Sequence, residues 1–262
     1  MTMGQDLHLP IDIRIMQATT ALLLLGWVAL MLTMALLWCV RLPLFAVSAL
    51  SLQGEVTHVN EVTVRANVLP TLTGGFFGLD LASARKSFEA LPWVRRATVR
   101  RVFPNRLRVQ LQEHHAVAYW GPEDEPRLLN NFGEVFEANL GEVDSDKLPR
   151  LNGPEQRAAE VLSLYQQLAP LWTKLDFAID VLELSARGAW RLQLDNSATV
   201  ELGTGSQAEI VDRVDRFVRT LTQVAALHGR RVAALESADL RYPQGYALKL
   251  QGIATVTGQK GK

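Results

Sequence analysis

Residues 94–111 read VRRATVRRVFPNRLRVQL, two runs of strand-forming residues on either side of Pro104-Asn105-Arg106. A short turn sequence between two such runs predicts a β-hairpin, with strands over residues 94–103 and 107–111. In the second strand Leu107, Val109 and Leu111 alternate with polar residues. One face of the hairpin is therefore expected to be buried and the other to face water.

The residues upstream of this hairpin predict one more strand and a helix. Residues 44–52, LFAVSALSL, alternate as a strand does. Residues 80–91 predict a helix with Asp80 as its N-cap, ended by Pro92. Residues 61–69 fit a helix or a strand equally. The residues predicted to form the core are Trp93, Val99, Phe103, Leu107, Val109 and Leu111, packed against Phe88 and Leu91.

Residues 15–40 form a long apolar run without a formal charge, bracketed by Arg14 and Arg41. At about 1.5 Å per residue, a helix of this length exceeds the hydrocarbon core of about 30 Å. The alternative is a cleaved signal peptide with a cleavage site near residues 46–48. Because the apolar core of a signal peptide is only about 7 to 15 residues long, we expect an uncleaved anchor. The flanking charges do not set its orientation.

The chain as a whole carries no net charge, with 27 Lys+Arg and 27 Asp+Glu in 262 residues. This balance excludes a global electrostatic attraction to nucleic acid or anionic lipid. The single cysteine, Cys39, excludes a disulfide framework within one chain and a Cys-rich zinc site. The composition is that of a folded protein, not of a disordered or collagen-like chain.

Beyond residue 115 the pattern predicts an α+β region with helices on one face of a sheet. Helices are predicted over residues 154–169 and 208–226. Strands are predicted over residues 116–120, 128–129, 135–136, 190–194, 199–202, 231–241 and 245–251. The apolar stripe of the second helix is predicted to comprise Val211, Val214, Phe217 or Val218, Leu221, and Val224 or Ala225.

The order strand, short helix, glycine loop, helix, Pro92-Trp93-Val94 and hairpin resembles a POTRA module. An N-terminal anchor followed by one such module resembles the FtsQ/DivIB family of bacterial division proteins. Tyr119-Trp120 and the segments NFGEVF (131–136), LPRLNGP (148–154) and DLRY (239–242) match that family's pattern in order.

The resemblance implies an α+β fold with a single N-terminal transmembrane helix, a POTRA module of a mixed sheet with two helices, and a β-rich domain with packed helices. The implied organisation is a cytoplasmic tail (1–14), a transmembrane helix (15–40), a POTRA domain (44–115), an FtsQ-type β domain (116–252) and a polar tail (253–262).

The function that the resemblance implies is that of a non-enzymatic scaffold at the division septum. Such a protein is a single-pass type II protein of the inner membrane with most of its chain in the periplasm. It binds FtsB and FtsL among other division proteins and helps control septal peptidoglycan synthesis. No cofactor, small-molecule substrate or nucleic acid is expected. The alternatives are a POTRA protein of envelope assembly or secretion, or a membrane-anchored periplasmic enzyme.

Residues 237–250, SADLRYPQGYALKL, are predicted to form the last strand, with no later element to cover its outer side. Pro243 lacks an N–H, which suits an edge strand, and the resemblance implies that a segment of FtsB adds to this strand. The predicted partner-binding residues are Arg241, Tyr242, Gln244, Tyr246, Leu248 and Leu250, with Arg187 and Arg191 in the neighbouring hairpin. The alternative is that the tyrosines pack in the sheet core.

Six arginines between residues 95 and 108 form a basic cluster, of which Arg96 and Arg100 are the predicted surface positions. With only Phe103 as an interleaved aromatic residue, nucleic-acid binding is not indicated. A solvated strand face is one interpretation, and a surface for a partner or for anionic headgroups is the other.

The clues to catalysis are weak. Residues 203–208, GTGSQA, match a dinucleotide fingerprint between a strand and a helix. The preceding strand alternates, however, and no acidic residue follows at the expected distance, which favours a glycine turn with Ser206 capping the helix. His114 and His115 are adjacent and on a strand would point to opposite faces, so a shared metal is not indicated. No nucleophile elbow is present.

Overall fold

The computed structural model describes residues 11–40, 49–54, 56–72, 75–143, 148–242 and 245–252. The chain divides into two compact units, Met1–Glu113 and His114–Lys262. The first helix, α1, spans Ile11–Val40. Within it, Ile15–Ala35 is the one stretch of the described chain that is long and apolar enough to cross a membrane.

The rest of the first unit is a three-stranded mixed sheet with two helices, as predicted. Its elements are β1 (Ala49–Gln53), α2 (Glu61–Asn67), a 3₁₀ turn (Leu69–Thr71), α3 (Leu81–Glu89), β2 (Val94–Val102) and β3 (Arg106–Glu113). The strand order is β1-β3-β2, with β1 parallel and β2 antiparallel to β3. Of the strand predicted over residues 44–52, residues 49–52 are confirmed and 44–48 lie outside the described residues.

Both helices of this unit begin at a capping side chain. The Asp80 carboxylate accepts the N–H of Ala82, which confirms the predicted N-cap of α3. Of residues 61–69, which fit a helix or a strand, residues 61–67 form α2, and the Asn60 side chain caps it by accepting the N–H of Thr63. One buried face of α3, including Phe88, then packs on the sheet.

The predicted core of the first unit is confirmed at most positions and is wrong at Phe103. Buried side chains include Phe88, Leu91, Trp93, Leu107, Val109 and Leu111. Val99 is half-buried. Phe103 is 74% exposed because β2 ends at Val102 and the ring lies in the turn beyond the covered part of the sheet.

The last residue of β3 holds the loop that precedes α2. The Glu113 carboxylate accepts the backbone N–H groups of Thr57 at 3.0 Å, His58 at 3.1 Å and Val59 at 2.8 Å. The His58 imidazole also lies 3.2 Å from this carboxylate and stacks on Trp93 with the ring centroids 3.8 Å apart. A single buried carboxylate therefore satisfies three consecutive backbone donors.

The second unit is a nine-stranded mixed sheet with two long helices. Its strands are β4 (Ala116–Trp120), β5 (Arg127–Asn130), β6 (Val135–Phe136), β7 (Arg150–Asn152), β8 (Ile179–Leu184), β9 (Trp190–Leu194), β10 (Thr199–Gly203), β11 (Leu235–Asp239) and β12 (Ala247–Leu250). The helices are α4 (Ala158–Thr173) and α5 (Gln207–Leu227). The strand order is β12-β11-β10-β9-β8-β7-β4-β5-β6. The pairs β4–β7, β7–β8 and β10–β11 are parallel.

Helix α5 confirms the predicted cap and most of the predicted stripe. Ser206 and Glu209 form a reciprocal capping box at its first turn. The buried residues are Ile210, Val214, Phe217, Val218, Leu221 and Ala225. Val211 is only half-buried, so the stripe begins at Ile210 instead.

Helix α4 does not end at Ala169 as predicted. It continues through Pro170 to Thr173 and buries Trp172. Pro170 does not end the helix, and Trp172 in the last turn packs into the core. The buried residues of α4 include Val161, Leu162 and Leu168, and Tyr165 is half-buried.

Candidate partner-binding surface

The partner-binding residues predicted at the end of the chain lie on the last two strands. β11 and β12 are antiparallel, with Asp239 opposite Ala247, and β12 is the outermost strand at one end of the sheet. The prediction of a single strand over residues 237–250 is therefore wrong, and the separate strands predicted over 231–241 and 245–251 are closer to the structure. Pro243 and Gln244 lie outside the described residues.

The backbone of β12 offers hydrogen-bonding groups on its outer side. The N–H of Gln251 donates to the carbonyl of Ala234 at 2.8 Å. Because alternate residues of an antiparallel strand direct their backbone groups to opposite sides, Lys249 faces β11 whereas Leu248 and Leu250 direct their N–H and C=O groups outward. No strand of the described chain pairs with that side.

The side chains of the two leucines point into the protein. Leu250 is 2% exposed and belongs to the core of the second unit, and Leu248 is half-buried against the same core. What these two predicted residues present at the edge is therefore backbone and not side chain. The side chains of Ala247 and Lys249 are exposed.

The two tyrosines near this edge differ in environment. Tyr242 is 57% exposed. The Tyr246 ring packs edge-on against Phe217 with centroids 4.7 Å apart, and its hydroxyl lies 2.8 Å from that of Thr220. The alternative that the tyrosines pack in the core therefore holds for Tyr246, whereas Tyr242 is exposed to solvent.

Arg241 makes a bidentate ion pair with Asp239, two residues earlier. Its Nε lies 2.9 Å from Oδ1 and its Nη2 lies 2.6 Å from Oδ2. The hydrogen bond from Arg241 lowers the pKa of the Asp239 carboxyl, and the same bond raises the pKa of the Arg241 guanidinium. This pairing fixes the orientation of the guanidinium on the outer face of β11.

The ion pair belongs to a row of charges that crosses three strands. Arg191 Nε donates to Glu201 Oε1 at 2.7 Å, and Glu201 lies opposite Asp239 in register. We call Arg191, Glu201, Asp239 and Arg241 the charged row. Arg187 is exposed in the turn between β8 and β9. The structure thus brings Arg191 and Arg241 together on one face.

The two carboxylates of the charged row were missed from the sequence. Asp239 and Arg241 are separated by two residues, and residues at this spacing share one face of a strand. That signal was present in the DLRY segment. Glu201 could not be found in this way, because its neighbours come from the pairing of β10 with β9 and β11.

The other candidate sites have structural explanations. Gly203 and Gly205 adopt positive φ angles of 81° and 145° in the turn before α5, and β10 is antiparallel to β9, unlike a Rossmann strand. His114 stacks on Phe136 with centroids 4.1 Å apart. Among the residues that the structure describes, no group of three His, Cys, Asp or Glu side chains could hold a metal ion.

Comparison with known proteins assigns this architecture. The family model "POTRA domain, FtsQ-type" matches residues 45–114, and the model "Cell division protein FtsQ/DivIB, C-terminal" matches residues 118–241. The chain belongs to the FtsQ/DivIB family. The resemblance seen in the sequence is therefore confirmed, and the C-terminal match ends one residue before Tyr242.

Relatives named "Cell division protein FtsQ" cover most of the chain. The protein of Thiomonas arsenitoxydans is 38% identical over 94% of this chain and 90% of its own length. That of Burkholderia pseudomallei is 39% identical over 86% and 88%, and that of Bordetella pertussis is 37% identical over 85% and 86%. Membership of the FtsQ/DivIB family and helix α1 together indicate a single-pass membrane protein.

Proposed function

We propose that this chain is a non-enzymatic scaffold of bacterial cell division that binds FtsB and FtsL. In this proposal α1 anchors it in the inner membrane, both folded units lie in the periplasm, and the protein acts at the septum. It helps control septal peptidoglycan synthesis through binding free energy, with no bond made or broken. The observation that supports this best is that no described strand pairs with the outer side of β12 in a member of the FtsQ/DivIB family.

The binding mechanism that we propose is strand addition. An unpaired strand edge has to be blunted or else serves as a template for another strand. The outward backbone groups of Leu248 and Leu250 would pair with an extended segment of FtsB. Backbone pairing gives affinity without specificity, so the side chains beside the edge supply the selection. Those side chains are Tyr242, Lys249 and the charged row. Arg187 is exposed in the turn before β9, the strand that carries Arg191.

A role in envelope assembly or secretion is supported less well. The POTRA module alone would suit either role. The second unit, however, matches the C-terminal model of the division family over residues 118–241. That match favours cell division.

The first experiment tests the edge in the full-length chain. Leu248→Pro removes an outward N–H but no bond to β11, so the fold should tolerate it, as edge strands tolerate proline. We expect it to abolish binding of the periplasmic part of FtsB. Tyr242→Ala should weaken that binding by about 2 kcal/mol, or about 30-fold.

The matched control is Phe132→Ala, which truncates another exposed aromatic ring of the same unit, in the turn between β5 and β6. It should leave FtsB affinity unchanged. Normal FtsB binding by folded Leu248→Pro and Tyr242→Ala proteins would contradict the proposed site.

The second experiment tests orientation and location. Protease added to spheroplasts should degrade both folded units, and a fluorescent fusion should form rings at midcell. Full protection from protease or a uniform membrane signal would contradict the proposal.

A further inference from the structure

The outer face of the first unit's sheet carries arginines in adjacent register positions. Arg108 in β3 lies directly opposite Arg100 in β2 and Ser51 in β1. Arg106, two residues earlier on the same face of β3, lies opposite Ala49. Side chains directly opposite on neighbouring strands have Cβ atoms about 5 Å apart. Three guanidinium groups therefore share a small area.

Arg96 extends this cluster along the same face, where it lies opposite Gln112. We call Arg96, Arg100, Arg106 and Arg108 the arginine face. Among the residues that the structure describes, none of these four exposed arginines forms a hydrogen bond or an ion pair, and no carboxylate shares their face. The outward residues between them are Ala49, Ser51, Gln53, Thr98, Val102, Gln110 and Gln112.

Three other arginines of the same unit have partners. Arg65 bonds to Glu61 at 2.7 Å and Arg85 lies 3.3 Å from Glu89. The Arg101 guanidinium donates to backbone carbonyls of residues 76–79. Like charges directly opposite on neighbouring strands destabilise a sheet. Within the described residues the arginine face therefore lacks the compensation that Arg65, Arg85 and Arg101 have, and a polyanionic surface would supply it.

Exposed aromatic rings lie at one end of this sheet, where the β2–β3 hairpin turns. Phe103 and Phe77 are 74% and 50% exposed. Both rings contact Phe76, with centroids 6.4 and 5.2 Å away, so they lie at one end of the sheet. Arg106 begins β3 at that same end. Aromatic rings beside basic groups are typical of membrane–water interfaces.

The sheet begins at this same end, shortly after α1 in the sequence. Ala49, the first residue of β1, lies opposite Arg106, and only residues 41–48 separate it from Val40 at the end of α1. At 3.3–3.6 Å per residue, that connection can span at most about 30 Å. With α1 in a membrane, this tether keeps the Arg106 end of the sheet within reach of the bilayer surface, and an attraction to the lipid would decide whether the face docks there.

We propose that the arginine face and the Phe103 tip dock this sheet onto anionic phospholipid headgroups of the membrane that α1 enters. The guanidinium groups bind lipid phosphates bidentately, and the exposed ring of Phe103 enters the headgroup region. This surface is separate from the β12 edge and does not depend on which proteins bind there.

The test uses the full chain in nanodiscs of phosphatidylcholine alone or with about one third phosphatidylglycerol. A fluorophore is attached at Ser51→Cys, on the arginine face, or at Lys86→Cys, on α3, both in a Cys39→Ser background. Quenching by a headgroup-labelled lipid reports how close each site lies to the bilayer. We expect strong quenching at position 51 only with phosphatidylglycerol, its loss at high salt, and weak quenching at position 86.

The variants separate lipid docking from misfolding and from protein binding. Arg100→Gln/Arg108→Gln and Phe103→Ser should each abolish the quenching at position 51, while Arg65→Gln/Arg85→Gln should not. The first double variant should melt no lower than the parent, because it removes a like-charge pair. Equal quenching in the two lipid mixtures, or unchanged quenching in both arginine-face and Phe103 variants, overturns the proposal. Unchanged quenching with loss of a protein partner would assign the face to an acidic protein segment instead.

Discussion

Tyr246 and Thr220 hold their hydroxyl oxygens 2.8 Å apart, and this contact fastens the residues just before β12 to helix α5. The Tyr246 ring lies at the same time against Phe217, a buried residue of that helix. Tyr246 therefore connects the edge strand to the hydrophobic core. Tyr242, on the other side of the connection between β11 and β12, has no such burial.

The two tyrosines should separate stability from binding. Tyr246→Ala removes a half-buried ring and should lower the free energy of unfolding by about 2 kcal/mol. Tyr246→Phe keeps the ring, loses one hydrogen bond and should cost about 1 kcal/mol. Tyr242→Ala should leave stability unchanged. Denaturant titration of the full chain measures all three, and a loss of stability in Tyr242→Ala would contradict the assignment.

The core of the first unit predicts a contrast between two phenylalanines. Phe88 is fully buried, so Phe88→Ala should cost about 3 to 5 kcal/mol, a large part of the stability of a small domain. Phe103→Ala at the exposed tip should cost almost nothing. Thermal melting of both variants checks this. An unchanged melting temperature for Phe88→Ala would show that α3 packs by another face.

The Glu113 carboxylate should contribute strongly to the stability of the same unit. Glu113→Ala leaves the N–H groups of Thr57, His58 and Val59 without their acceptor, and we expect a loss of about 3 kcal/mol or more. Glu61→Ala, which breaks an exposed ion pair in α2, is the control and should cost less than about 1 kcal/mol. Equal effects of the two substitutions in denaturant titration would refute this role.

The pair Asp239–Arg241 predicts a pH dependence of stability. Because Arg241 lowers the pKa of Asp239 in the folded state, the ionised carboxylate stabilises the fold above its unfolded pKa of about 3.9. That contribution is lost as the pH falls through the lower, folded pKa. Asp239→Asn and Arg241→Gln should both lose less stability than the parent between about pH 5 and 2. Parallel stability–pH curves for all three proteins would rule the linkage out.

Local patterns were sufficient to predict most elements of the fold. The caps Asp80 and Ser206 and the hairpin of β2 and β3 depend on neighbours along the chain, so the sequence pattern indicates them directly. Failures arose where tertiary packing prevails. Pro170 lies inside α4, whose last turn buries Trp172, and Phe103 is exposed because no described element covers the hairpin tip.

The candidate surface could be predicted only in part for the same reason. The edge position of the terminal strand followed from the order of elements along the chain. The partners of Arg191 and Arg241 did not, because Glu201 reaches them through strand pairing. Tyr246 is half-buried because it packs against Phe217 of α5, whereas Tyr242 is exposed. No local sequence pattern specifies where α5 lies on the sheet.

The parallel pairing of β10 with β11 has a consequence for the order of folding. Thr199 lies opposite Ser237, and the whole of α5 lies between them in the chain. Such a pair cannot be closed by a tight turn, so the crossover helix has to dock before β11 finds its register. β12 can join only after β11. We expect the hydrogen bonds between β12 and β11 to form late in refolding. The amide hydrogens of β12 should also exchange with solvent faster than those of the central strands of the sheet. If FtsB adds to β12 as proposed, a chain that is still folding would lack the strand it pairs with, and FtsB would bind only molecules whose second unit is complete.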